Sequence, residues 1–159
     1  MRMGQGVEWA LHSCVNLTWA GAPVPVTRLA GLYDLPAAYL NKQLQALVRA
    51  GILASVPGPK GGFRLGREAS EVSLLDVVVA LEGPDDAFRC TQIIAKGPGG
   101  DPDIDYREHC AVSLSMRQAE LAWRRELAAR SVAGIARDVE RHNPAAPQRV
   151  RAALLPDAS

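Results

Sequence analysis

The chain has almost no surplus of charge: 18 Lys and Arg stand against 17 Asp and Glu, a formal net charge of +1 over 159 residues. Contact with a polyanion must therefore come from cations gathered on one face, not from bulk excess. No apolar run approaches the roughly 20 residues needed to span a bilayer, so a membrane is not an expected partner. The opening residues carry Glu8 and His12 and no long apolar run, so no secretory leader is expected. Cysteines number only three. Without a leader they imply a reducing, cytoplasmic setting, where thiols serve metal or redox chemistry more often than disulfides. The sequence has no His-Glu-x-x-His motif, no phosphate-cradling glycine loop and no nucleophile–base–orienter set. Enzymatic chemistry is accordingly not expected. No internal repeat is visible.

Apolar residues make up 48% of the chain, enough for one packed core with an appendage. The stretch Leu35 to Arg67 is the most informative. Pro36 suits the first turn of a helix, where its missing N–H would be unpaired anyway. Leu40, Leu44, Leu47 and Val48 then form one apolar stripe at helical spacing. Gly51 follows Ala50 as a helix-ending glycine. Ile52 to Val56 reads as a short strand. Pro57-Gly58-Pro59-Lys60-Gly61-Gly62 is a turn, and Phe63-Arg64-Leu65 is the returning strand. A helix leading straight into a hairpin with a basic tip predicts the reading end of a winged helix-turn-helix.

The exposed side of that helix carries Tyr39, Asn41, Lys42, Gln43, Gln45 and Arg49, with no carboxylate among them. Such a surface suits the major groove of double-stranded DNA. Lys60 and Arg64 of the hairpin are placed for phosphates or the minor groove. The alternative is a solvated helix beside an ordinary hairpin.

The run from Ala38 to Arg67, above all Gly58-Pro59-Lys60-Gly61-Gly62-Phe63-Arg64-Leu65, resembles the signature of the Rrf2 family of bacterial regulators. The resemblance extends from about residue 5 to residue 140. It implies a homodimeric transcription factor, often with a sensor cluster held in a loop after the DNA-binding domain.

The rest of the chain fits that plan. Val7–Ala20 reads as a first helix and Thr27–Tyr33 as the supporting helix, with Thr27 a candidate cap. Ser73 to Leu81 reads as a helix opened by a weak Ser73/Asp76 capping box. Residues 85–109 change character: the run Lys96 to Asp105 cannot pack a core and reads as an irregular loop. Ala111 to Ala129 reads as a long helix with one apolar row at Leu114 and Leu121 and another at Met116, Trp123 and Leu127. It is expected to be covered by a second copy. Val132–Val139 reads as a last short helix. The expected fold is mainly α with a small β-wing, a winged helix-turn-helix plus a long dimerisation helix. The expected divisions are 1–83 for DNA binding, 84–110 for a cluster loop, 111–143 for dimerisation, and a disordered tail at 144–159.

Cys90 and Cys110 bracket the loop, where a metal would supply organising energy the segment lacks. By the family resemblance they match the first and last cluster cysteines. The family's middle cysteine is absent, and Ser113 stands where some members carry a histidine ligand. A two-iron, two-sulfur cluster needs four protein ligands. The remaining two must come from Glu8 and His12, His109, the aspartates at 101, 103 and 105, or Cys14. Glu8 and His12 lie one helical turn apart on one face and are favoured. Cys14 shares its face with Leu11 and Val15, where a free cysteine packs as a small hydrophobe. The family's dimer brings the loop close to the first helix of the other subunit, so these two ligands are open to either chain. The combination Glu8, His12, Cys90 and Cys110 resembles the family's mixed-ligand redox sensors. The alternatives are a surface Glu8–His12 pair, and a clusterless regulator using Cys90 and Cys110 as a thiol–disulfide switch. Trp9, beside Glu8, is a candidate relay toward the recognition helix, with plain core packing as the alternative.

Overall fold

The computed structural model describes residues 3–156. Helix α1 (Gln5–Ala20) is the central post. It packs against α3 (Ala37–Arg49), α4 (Leu74–Glu82), α7 (Val132–His142) and α8 (Ala146–Leu154). Its polar residues are absorbed locally: the Ser13 hydroxyl donates to the Trp9 carbonyl at 2.8 Å and Thr18 to that of Cys14 at 3.0 Å. Gly21, at φ 68°, ends it in the left-handed conformation that glycine adopts without penalty.

The supporting helix α2 spans Val26–Gly31. It begins one residue earlier than expected. Pro25 occupies the cap position and no side chain caps the helix, so Thr27 falls inside the first turn and is not its cap. Helix α3 opens behind Pro36 and buries Leu40, Leu44 and Leu47 completely. The amide of Ile52 reaches back to the Leu47 carbonyl at 2.9 Å across Gly51, which sits at φ 70°. The chain then enters strand β1 (Leu53–Val56), which pairs antiparallel with β2 (Gly62–Leu65), Leu53 facing Leu65 and Val56 facing Gly62. Val24 adds a separate bridge to β2: its amide and carbonyl both bond Phe63 at 2.8 Å. The wing is thereby tied to the segment between α1 and α2.

Helix α4 opens with a full capping box, the Asp76 amide donating to Ser73 Oγ at 3.1 Å and the Ser73 amide to Asp76 at 2.8 Å. The segment after it is more ordered than its composition implies. It holds a short 3₁₀ turn at Ile93–Lys96 and a one-turn helix α5 (Tyr106–His109). Tyr106 is buried; its hydroxyl accepts from the Asp101 amide at 2.7 Å. Arg124 of α6 (Ala111–Ala129) donates to the Pro84 carbonyl at 2.8 Å, and Arg117 of the same helix to that of Arg107 at 3.1 Å. One tyrosine and two arginines thus anchor a loop that has few apolar residues.

Helix α6 has the predicted limits. Trp123 and Leu127 turn inward, whereas Leu114 and Leu121 are 42% and 52% exposed, with Val112 and Met116 also open to solvent. The tail expectation needs correcting. Residues 146–154 form helix α8, and Leu154 is fully buried. Pro147 sits in its first turn, where no amide partner is required, so the proline flanks the helix rather than breaking it. The end of the expected tail, 157–159, lies outside the described residues. Among the described residues no helix is long and apolar enough to cross a membrane.

Candidate nucleic-acid interface and ligand set

The recognition helix and wing expose Lys42 and Lys60 to solvent, with Asn41 partly exposed. Arg64 is exposed and donates to the Leu65 carbonyl at 3.1 Å. Gln43 is half-buried, like Asn41, and also faces α1. Its amide packs against α1, 2.8 Å from where a Cβ on Gly6 would stand. Position 43 lies one turn from both Leu40 and Leu47, so the helix period itself carries it toward the core. Tyr39 is 45% exposed and meets Trp9 of α1 edge to face, ring centroids 5.3 Å apart.

A second link joins α1 to the helix-turn-helix. The His12 and Tyr33 rings lie 5.7 Å apart. The Tyr33 hydroxyl accepts from Asn16 Nδ2 at 3.0 Å. Tyr33 is therefore turned toward α1. Asn16 is only 2% exposed. Nothing in the local pattern marked it, beyond a polar residue on an otherwise apolar helix face.

Glu8 and His12 share one face of α1, as their spacing predicted. They line a cleft of ≈ 470 Å³ whose walls are Val7, Leu11, Val15 and Ile135. Cys110 is buried at the start of α6 and Cys90 is half-buried in the preceding segment; both are free thiols, and neither lines that cleft. Among the described residues, no three His, Cys, Asp or Glu side chains of one protomer come together as a metal site. The other candidates have local work. Asp105 caps α5, accepting from the Arg107 amide at 2.9 Å, and Asp101 accepts from the Asp103 amide at 2.9 Å. His109 Nδ1 lies 3.0 Å from the Asp105 carbonyl.

Cys14 is a core residue. Burial pushes its thiol from an ordinary 9.0 up to about 12. A thiol so placed is neither a ready nucleophile nor a ready ligand. Maleimide labelling of the folded, metal-free protein at pH 8 is expected to modify Cys90 and spare Cys14, with Cys14 reacting only after denaturation. Peptide mass mapping reads the result. The same burial favours the folded state below the unfolded thiol pKa, and that contribution fades as pH climbs from about 9 toward about 12.

A family model described as "Rrf2: Iron-dependent Transcriptional regulator" matches residues 3–138. The IscR regulator of Vibrio atlanticus is 38% identical over 84 residues, 53% of this chain and 45% of its own length. The match thus spans less than half of that relative. The regulator YffB of Lactococcus lactis is 30% identical over 146 residues, 88% of this chain and 90% of its own. Among solved structures, CymR of B. subtilis aligns with TM-score 0.65 at 20% identity, covering 86% of this chain and 96% of that one. T. potens IscR aligns with TM-score 0.67 at 17% identity, covering 90% and 91%. These two likenesses establish the fold: a helical protein with a two-stranded wing.

Proposed function

Because the chain belongs to the Rrf2 family of transcriptional regulators, we propose that it is a homodimeric DNA-binding regulator that reads redox state through a two-iron, two-sulfur cluster. Cys90 and Cys110 of one protomer would hold the cluster together with the partner subunit's Glu8 and the partner's His12. The observation that carries this reading is a separation. The acid–histidine face of α1 and the two-cysteine segment each offer half a ligand set, and within one protomer the halves do not meet. A second copy completes them. The exposed apolar row on α6 supports that copy, since Val112, Leu114 and Leu121 otherwise face water. The segmentation that follows is a reading head at 1–83, a ligand-bearing segment at 84–110 and a pairing region at 111–143.

When bound, such a cluster supplies a one-electron change of charge, and nitrogen ligation in place of thiolate raises its potential. The chain's own residues would link such a site to the reading head. Trp9 adjoins Glu8 and rests on Tyr39 of the recognition helix. His12 rests on Tyr33, which Asn16 ties to α1. A charge change at Glu8 and His12 therefore bears directly on two aromatic contacts with the helix-turn-helix. The ligand set resembles that of the mixed-ligand redox regulator RsrR.

The test is purification under nitrogen. Iron and acid-labile sulfide are expected in equal amounts, with visible absorption that dithionite bleaches reversibly and a DNA affinity that differs between the two states. A colourless, metal-free protein with one affinity in both states overturns the reading. If oxidant instead removes two protons from the mass and joins Cys90 to Cys110, the thiol–disulfide alternative takes its place.

A further inference from the structure

The family match ends at residue 138, and helix α8 lies beyond it. This helix is firmly seated. Leu154 is fully buried, Val150 and Leu155 pack on the core, and the helix touches α1, α2 and α7. Arg28 Nη1, on the supporting helix, donates to the Leu154 carbonyl at 2.9 Å across 126 positions of sequence. The contact answers a general need, since the last carbonyls of a helix have no partner within it and favour a cation. Arg28 and Leu155 also line, together with Pro59, Lys60 and Gly61 of the wing, a cleft of ≈ 460 Å³.

The supporting helix needs such help. At 6 residues α2 is too short to hold its own conformation, so packing must place it. It packs against both α3 and α8. We propose that α8 is a strap that positions the supporting helix against the wing for DNA, with Arg28 and Leu154 as its clasp. The proposal rests on the DNA-binding reading above. Arg28 acts here as a positioning residue: it works through Leu154, and the DNA contacts themselves belong to α3 and the wing. Loosening the clasp lets α2 shift, and α3 and Lys60 then meet the duplex out of register.

The experiment uses full-length protein and a duplex that the wild type selects from a randomised pool. Arg28→Gln, Arg28→Lys and Leu154→Ala are compared at a temperature where circular dichroism shows all of them folded. Arg28→Gln and Leu154→Ala are each expected to weaken binding about tenfold with an unchanged salt slope, and Arg28→Lys to recover most of the loss. Amide exchange at Leu29 and Ala30 is expected to speed up in both weakened variants. Wild-type affinity in Leu154→Ala overturns the strap. So does a shallower salt slope confined to Arg28→Gln, which would make Arg28 a direct phosphate contact. If the wild type selects no duplex, the DNA-binding reading fails; unchanged amide exchange in α2 would then overturn the strap separately.

Discussion

Alanine at Cys90 or Cys110 is expected to give a colourless protein that has lost essentially all of its iron and sulfide. Thiolates are the strongest donors in the proposed set, and a site left with one of them does not retain a cluster. The fold should survive. Cys90 is only half-buried, and Cys110 stands at a junction held by Tyr106 and by the backbone bond from Leu114 to Cys110 at 2.9 Å. Far-UV circular dichroism is therefore expected to be unchanged while iron analysis falls to background. Glu8→Ala combined with His12→Ala is expected to do the same from the other side.

Mixing the two kinds of variant tests which chain supplies which ligands. A dimer made of one Glu8→Ala/His12→Ala chain and one Cys90→Ala/Cys110→Ala chain has one complete site and one with no ligands, if the site is shared between subunits. Random re-pairing makes half of the dimers mixed, so cluster content should return to about a quarter of wild type. If all four ligands came from a single chain, mixing would restore nothing. Recovery of nothing, with mixed dimers shown by native mass spectrometry, would refute shared ligation while leaving the cysteine result standing.

The second large effect is expected at the base of the wing. A Cβ on Gly62 would stand 2.2 Å from both the carbonyl carbon and oxygen of Val24 and 2.5 Å from Pro25 N, all rigid backbone, at a φ of 140°. Gly62→Ala must therefore push β2 away and break the paired 2.8 Å bonds between Val24 and Phe63. DNA affinity is expected to fall by about tenfold to a hundredfold, since the distortion costs about 1.4–2.8 kcal/mol. Helical circular dichroism should change little, because the wing contributes no helix. Gly99→Ala is the control, with nothing within 4 Å of the added carbon and no unusual φ. Equal affinity of Gly62→Ala and wild type would show that the wing does not contribute to binding.

Much of this architecture was legible in local pattern. The stripe of Leu40, Leu44 and Leu47 marks α3, because a helix returns every third or fourth residue to one side and these three are completely buried. Ser73 and Asp76 mark the start of α4 because their bonds join neighbours in sequence. The glycine-rich turn before Phe63 marks the hairpin for the same reason. Glu8 and His12 share a face because helical geometry alone places them there, and they line one cleft.

What escaped depended on contacts between distant residues. The contact of the Gln43 amide with Gly6 of α1 joins residues 37 positions apart and has no local signal. Asn16, 2% exposed, donates to the hydroxyl of Tyr33, 17 positions away, a bond that no local pattern marks. The segment from 84 to 110 has too little apolar content to fold by composition, yet Tyr106, Arg117 and Arg124 hold it through backbone bonds that no periodicity announces.

The sequence by itself determined the winged helix-turn-helix, its basic tip and the extent of α6, because each depends on spacing within a few turns. Only the tertiary structure decided that the proline-rich end becomes α8. Pro147 permits a helix there, but the local apolar content is too low to require one. The burial of Leu154 and its bond to Arg28 supply the stabilisation, and they exist only once α1 and α2 are in place. The same holds for Glu8 and His12 against Cys90 and Cys110: whether side chains so far apart in sequence meet within one protomer depends on how the helices pack, which no local spacing rule encodes.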